Sequence, residues 1–317
     1  MTGLKLWTWS AARRGVPRSC AFLAALTLCI AMNGCSIRSL AISSMGNALA
    51  ASGAGFGADD DPELIRAAAP FSLKLMESLL AEAPAHTGLL GAASSGFTQY
   101  AYAFVQQDAD ALESRDAGAA RALRDRARAL YHRARDYGLR ALEQKHPNFR
   151  TQLEADPDAA LDRLTREESP HLYWTAVAWT AAISLSKASP MAVSDLRLVD
   201  RMINRLKELD PDMDHGALHT FLVSYEMGRP GARDAEARAR YHFEQAVRLS
   251  GGDKAAPYVA LAENVCVGNQ DKREFMALLE RAAAIDVSRH PEWRLENAIM
   301  RRRARWLLTQ IDQLFLE

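Results

Sequence analysis

Four times along the chain, small or apolar residues fall at positions i, i+3, i+4 and i+7. They do so in Leu90/Ala93/Ser94/Phe97, Trp174/Val177/Ala178/Ala181, Leu218/Phe221/Leu222/Tyr225 and Tyr258/Leu261/Ala262/Val265. That spacing puts all four residues of a set on one face of an α-helix. Each set follows a proline closely, namely Pro84, Pro170, Pro211 and Pro257. A second amphipathic segment that ends at a turn accompanies the later sets: 198–209 before Asp210-Pro211, 241–249 before Ser250-Gly251-Gly252, and 275–285. No stretch alternates convincingly enough to be a strand, so the fold class is all-α.

A large–small–small–aromatic stripe on one helix, facing an alanine-rich second helix, is the pattern of tetratricopeptide-like repeats. Small residues let the two helices of a pair come close, and stacked pairs share one continuous core. The expected architecture is therefore a tetratricopeptide-like helical-repeat solenoid, with a generic helical bundle as the alternative. The sets start 84, 44 and 40 residues apart, looser than the roughly 34 of the consensus. The first interval has room for an extra helical hairpin, inserted between the first two repeats over about 110–144. Arg124, Arg126, Arg128, Arg133 and Arg135 lie there among interspersed acids, which reads as a solvated helix rather than a nucleic-acid patch. Arg301-Arg302-Arg303, beside Trp306, reads the same way.

Residues 1–34 hold Lys5, Arg13, Arg14 and Arg18, with no acidic residue, ahead of a twelve-residue apolar stretch, Ala21 to Met32. These are the basic and apolar parts of a secretory signal, and twelve residues are too few to span a bilayer comfortably. The stretch ends in Met32-Asn33-Gly34-Cys35, which resembles a bacterial lipobox, with Cys35 the lipidated first residue of the mature chain. Ordinary cleavage or a short N-terminal anchor is the alternative. Residues 35–57 read as the lipidated cysteine and a tether, and 58–317 as a single helical-repeat domain. Acyl chains on Cys35 would tie the body to a membrane without spanning it. Ser36 carries no retention signal, which favours the inner leaflet of an outer membrane. Cys20 and Cys29 would leave with the signal, so Cys266 would have no partner for an internal disulfide and suits a small buried residue. Loss of the signal would leave 35 basic against 39 acidic residues, a net charge of −4. That balance gives no reason to expect a nucleic-acid partner.

Asp61-Pro62-Glu63 is a helix start, with Asp61 as N-cap and Pro62 in the first turn. The three aspartates 59–61 lack the remaining spacing of a calcium loop. Gly91-Ala-Ala-Ser-Ser-Gly96 misses the spacing of a nucleophile elbow. His215 and His219 lie four apart, but Gly216 stands where a zinc hydrolase needs glutamate, and no third ligand suggests itself. The expectation is a non-enzymatic binding protein without cofactor or metal. If the stripe packs within its pair, positions one, five and eight past its first member lean toward an exposed concave flank. Thr98, Trp179, His219, Glu226 and Glu263 are the candidate binding residues there, with Trp179 as an aromatic anchor. Tyr100, Tyr102 and Phe104 could line a channel or fill the core; Tyr100 and Phe104 join the candidates, with core the favoured reading for two of the three.

Two further stretches are distinctive: Ala58-Asp-Asp-Asp-Pro-Glu-Leu-Ile-Arg66 continued by Ala69 to Leu80, and Gly88-Leu-Leu followed by Ser95-Gly-Phe-Thr-Gln-Tyr-Ala-Tyr-Ala-Phe-Val-Gln106. With the lipobox and the repeats, the chain resembles the TatT family over roughly 35–317. These are tetratricopeptide-like periplasmic lipoproteins associated with TRAP (tripartite ATP-independent periplasmic) transporters. The resemblance implies a homotrimer, docking of a TRAP solute-binding protein, and channelling of a small, hydrophobic ligand through an oligomeric pore. It supplies no catalytic motif. A scaffold for an outer-membrane or envelope assembly, binding protein segments in its concave groove, is the alternative function.

Overall fold

Asp61 accepts hydrogen bonds from the backbone N–H groups of Glu63 and Leu64, and Pro62 opens the first long helix, α1 (Pro62–Glu82). The cap satisfies two of the donors that every helix start leaves over. The computed structural model describes residues 44–51 and 56–316, and among them there is no strand. Contacts divide the chain into two units, Met1–Ser44 and Met45–Glu317. The Arg13-Arg14 pair and Cys35 fall outside the described residues, as does part of the tether. Among the described residues no helix is long and apolar enough to cross a membrane.

Helix α2 (Thr87–Tyr100) continues through a π-helical turn (Ala101–Gln106) into α3 (Gln107–Leu112). Helix α4 (Ala117–Lys145) runs back along it: Tyr131 donates to Gln106 at 2.7 Å, Tyr137 stacks on Phe97, and Arg140 reaches the Pro84 carbonyl. The charged stretch expected to form a hairpin is thus one 29-residue helix that pairs with α2 and α3. Its seam of Ala120, Ala127, Tyr131, Ala134, Gly138 and Leu142 is buried throughout, and an unbroken apolar seam gives the chain no place to turn. The remainder of the interval is two short helices, α5 (Phe149–Ala155) and α6 (Pro157–Asp162).

Then come α7 (Ser169–Ser184), α8 (Pro190–Ser194) and α9 (Leu196–Leu209), followed by α10 (Met213–Gly228) and α11 (Ala235–Leu249). Helix α12 (Ala256–Leu261) has a π-helical turn of its own (Ala262–Cys266) before α13 (Val267–Asn269). The chain ends with α14 (Lys272–Ala283), α15 (Arg294–Leu308) and α16 (Ile311–Leu314). Helix α7 packs on α9, α10 on α11, and α12 on α14.

All four members of the first stripe are buried. Gly138 of α4 is what lets three helices meet there. A Cβ at that position would lie 2.1 Å from the Thr175 hydroxyl of α7 and 2.9 Å from that of Ser94 on α2. One large core joins residues of α4 to α10, among them Leu142, Phe149, Trp179, Met202 and Leu222. A second joins the two ends of the described chain: Ile65, Ala69 and Phe104 share it with Val259, Ile299, Met300 and Ala304.

Candidate functional site

The first helices of the pairs touch one another in a closed circuit. Helix α2 meets α7, α7 meets α10, α10 meets α12, and α12 meets α15. Helix α15 returns to the start. Arg302 pairs with Glu63 at 2.8 Å and donates to the Ala103 carbonyl at 3.0 Å. Partly exposed side chains mark several of these contacts. Tyr173 stands edge-on to Phe221, Asn264 donates to the Ser224 hydroxyl at 2.9 Å, and the Tyr102 hydroxyl points at the Met300 sulfur, 4.0 Å away.

The most concentrated polar chemistry lies where the circuit closes. Arg303 of α15 donates to Glu263 through Nε at 2.9 Å and Nη2 at 2.5 Å, and pairs with Asp110 at 2.9 Å. Its guanidinium sits 4.4 Å from the Trp306 ring centroid. Two carboxylates thus share one cation whose side chain is 11% exposed. Burial pushes the Glu263 carboxyl above its ordinary range, and Arg303 pulls it only part of the way back. Burial also raises the Tyr102 hydroxyl, and the Glu263 charge adds to the shift.

Both π turns serve this place. The Gln107 N–H bonds the Tyr102 carbonyl and the Val267 N–H bonds the Ala262 carbonyl, each five residues back. A π turn shifts the phase of the side chains on either side of it, and such turns recur at functional sites. Here one contains Tyr102 and the other Glu263.

A second polar cluster gathers at the starts of α10 and α15. Lys254 is 2% exposed, with its ammonium 3.2 Å from Glu296, 3.8 Å from Asp214 and 5.1 Å from the Trp293 ring centroid. Asp214, His215 and Gly216 take φ of 43°, 53° and 93°. Three successive left-handed residues, two of them not glycine, are costly. They bring the Asp214 carbonyl within 3.4 Å of Lys254. Burial raises the hydroxyl of nearby Tyr173, with Asp214 and Glu296 adding to the shift.

Of the residues expected on a concave flank, Glu263 alone joins the closure site. Thr98 is buried and donates to the Ser94 carbonyl. Phe104 is buried between the guanidinium groups of Arg66 and Arg302. Tyr100 is half-buried, with its ring 5.7 Å from that of Phe104 and its hydroxyl 3.4 Å from Arg126. Trp179 is no exposed anchor: it is 5% exposed, its indole N–H donates to Asp195 at 3.1 Å, and Arg135 covers its face. His219 is buried, its Nδ1 2.8 Å from that of His242 on α11. Burial, with neighbouring His219 adding to it, lowers the His242 pKa to about 4. Glu226 is buried and holds Arg238 at 2.8 Å.

The flanking positions are buried for a common reason. Thr175, Ala182, Val223, Val259 and Cys266 are all fully buried, so these helices are packed on that side as well as along the stripe. Arg303, read from its run of charges as solvated, is instead paired and stacked. Its partners stand 40 and 193 residues away in sequence, beyond the reach of any local pattern.

These features define a class: an all-helical protein whose architecture is a circuit of helix contacts with its polar and aromatic groups concentrated at the closure. A family model described as the TRAP transporter T-component matches residues 58–315, and the chain belongs to that family. The family is a transporter component rather than an enzyme family. The chain is also similar to an uncharacterized protein of Treponema pallidum (strain Nichols), at 28% identity over 319 residues that cover 95% of this chain and 98% of the relative.

Proposed function

We propose that this protein is a non-enzymatic, lipid-anchored periplasmic component of a TRAP solute-uptake system, held to the outer membrane through Cys35. It works by binding. It docks the system's solute-binding protein and passes a small, hydrophobic ligand along the face shared by the first helices of the pairs. Residues 1–34 are its signal, 35–57 its tether, and 58–317 one tetratricopeptide-like repeat domain that assembles as a trimer. Membership of the family supports the association with a TRAP system. The closed circuit from α2 through α7, α10 and α12 to α15 carries the ligand reading, because partly exposed Tyr102, Tyr173 and Phe221 offer a partly apolar lining, with the Glu263–Arg303 pair close to Tyr102. Aromatic surface with a few placed polar groups suits a small amphipathic ligand.

The test is binding of the purified full-length protein to the solute-binding protein encoded with its transporter, followed by native mass spectrometry of the complex. Saturable binding and a small molecule that co-purifies are expected. Recovery of neither, from a correctly oligomeric sample, would overturn the reading.

A further inference from the structure

A separate cavity of about 350 Å³ lies between α4, α5, α7 and α9, within the usual range of about 300–1,000 Å³ for small-molecule sites. It shares no residue with the Tyr102, Glu263 and Arg303 cluster. Most of the charge around it is already engaged. Asp195 accepts the Trp179 indole N–H at 3.1 Å. Arg135 gives Nε and Nη2 to Asp136 at 3.0 and 2.9 Å, and Arg150 donates to the same oxygen at 3.0 Å.

Two groups are left over. Arg197 at the start of α9 and Glu154 near the end of α5 both line the cavity and are exposed. Neither makes a hydrogen bond or ion pair among the described residues. Opposite charges that share a cavity without meeting are both satisfied by a guest that carries both signs. A plain anion would meet the carboxylates of Glu154 and Asp195, and a plain cation the guanidinium groups of Arg135, Arg150 and Arg197; each would feel like charge from the same lining. Leu139 and Leu198, 1% and 3% exposed, supply an apolar wall.

We propose that this cavity binds a small zwitterion of amino-acid size, its carboxylate on Arg197, its ammonium on Glu154 and its apolar body against Leu139 and Leu198. The closure of the helix circuit plays no part in it, so its failure would leave the transport reading standing.

Three probes with one carbon skeleton separate the possibilities: L-leucine, isovalerate and isopentylamine, each titrated into the purified full-length protein by calorimetry. Leucine should bind at least tenfold more tightly than either singly charged relative. Arg197→Gln and Glu154→Gln should each weaken leucine at least tenfold while the circular dichroism and melting temperature hold, since both side chains are exposed. Leucine binding no tighter than isovalerate or isopentylamine would overturn the zwitterion assignment. Leucine binding that survives both substitutions would overturn the site, and absence of heat from all three probes at millimolar concentration would overturn the proposal.

Discussion

Two junctions hold the helix circuit together, and they are built on opposite principles. Where α2, α4 and α7 meet, Gly138, Ser94 and Thr175 bring three backbones close, and Ser94 and Thr175 are fully buried. Where α3, α15 and the π turn after α12 meet, Arg303 bridges Glu263 and Asp110 with part of each side chain still exposed. Close-packed contacts of the first kind have no slack. Ion pairs of the second kind give back much of their Coulomb energy in desolvation. The contrast implies that the first junction holds the pairs rigidly together, while the second can change its partners without dismantling the fold.

The contrast is broken most severely at Gly138. Gly138→Leu should leave no cooperatively folded protein, and Gly138→Ala should cost about 1–3 kcal/mol of overpacking, because the new Cβ would sit 2.1 Å from the Thr175 hydroxyl. Chemical denaturation measures both. A stability unchanged by Gly138→Ala would mean that the three helices yield more easily than their geometry implies.

Arg303→Met should act more mildly. It strands two carboxylates, but both remain partly exposed, so the loss should fall below the roughly 3–5 kcal/mol of a fully buried pair. Replacing Glu263 by Gln as well should restore part of it, since one stranded charge is then gone. A double-mutant cycle in urea reads the coupling, and additive effects would show the bridge to be energetically idle.

Acidification should have the smallest and most graded effect, and it falls on the helix interiors rather than on the closure. Burial lowers the pKa of His132, His146, His171, His219 and His242 in the folded chain. The unfolded chain then binds more protons below its ordinary histidine pKa, and stability rises with pH wherever that is so. The contribution is therefore complete above about pH 6.5 and drains away as the pH falls toward 4, where His242 titrates. Glu168, held at about 2 against the opposing effect of burial by Lys145 and Thr165, loses its share only in stronger acid. Melting temperatures across pH 4–8 should slope upward, and His242→Gln should flatten that slope.

What could be read from the sequence was local. The Asp61-Pro62 start, the all-helical class, the buried first stripe and the buried Cys266 all follow from patterns no longer than a few turns. Trp179 was misplaced because helical periodicity finds one apolar face, and on α7 both the stripe and its flank are covered. Arg303 was misplaced because a run of three arginines looks solvated until a distant Asp110 comes to meet it. The π turns left no local sign either; nothing in Ala101–Gln106 or Ala262–Cys266 distinguishes a five-residue hydrogen bond from a four-residue one.

The docking of α15 onto α1 and the α2 turn also bears on how such a chain can change over time. An open stack can gain or shed a helix pair at its end and merely grow longer or shorter. A chain whose last long helix must reach its first has a fixed membership, because an added pair would carry Arg302 and Arg303 past Glu63 and Asp110. Variation should therefore accumulate in connecting segments such as 185–195 and 229–234, with the number of pairs kept constant.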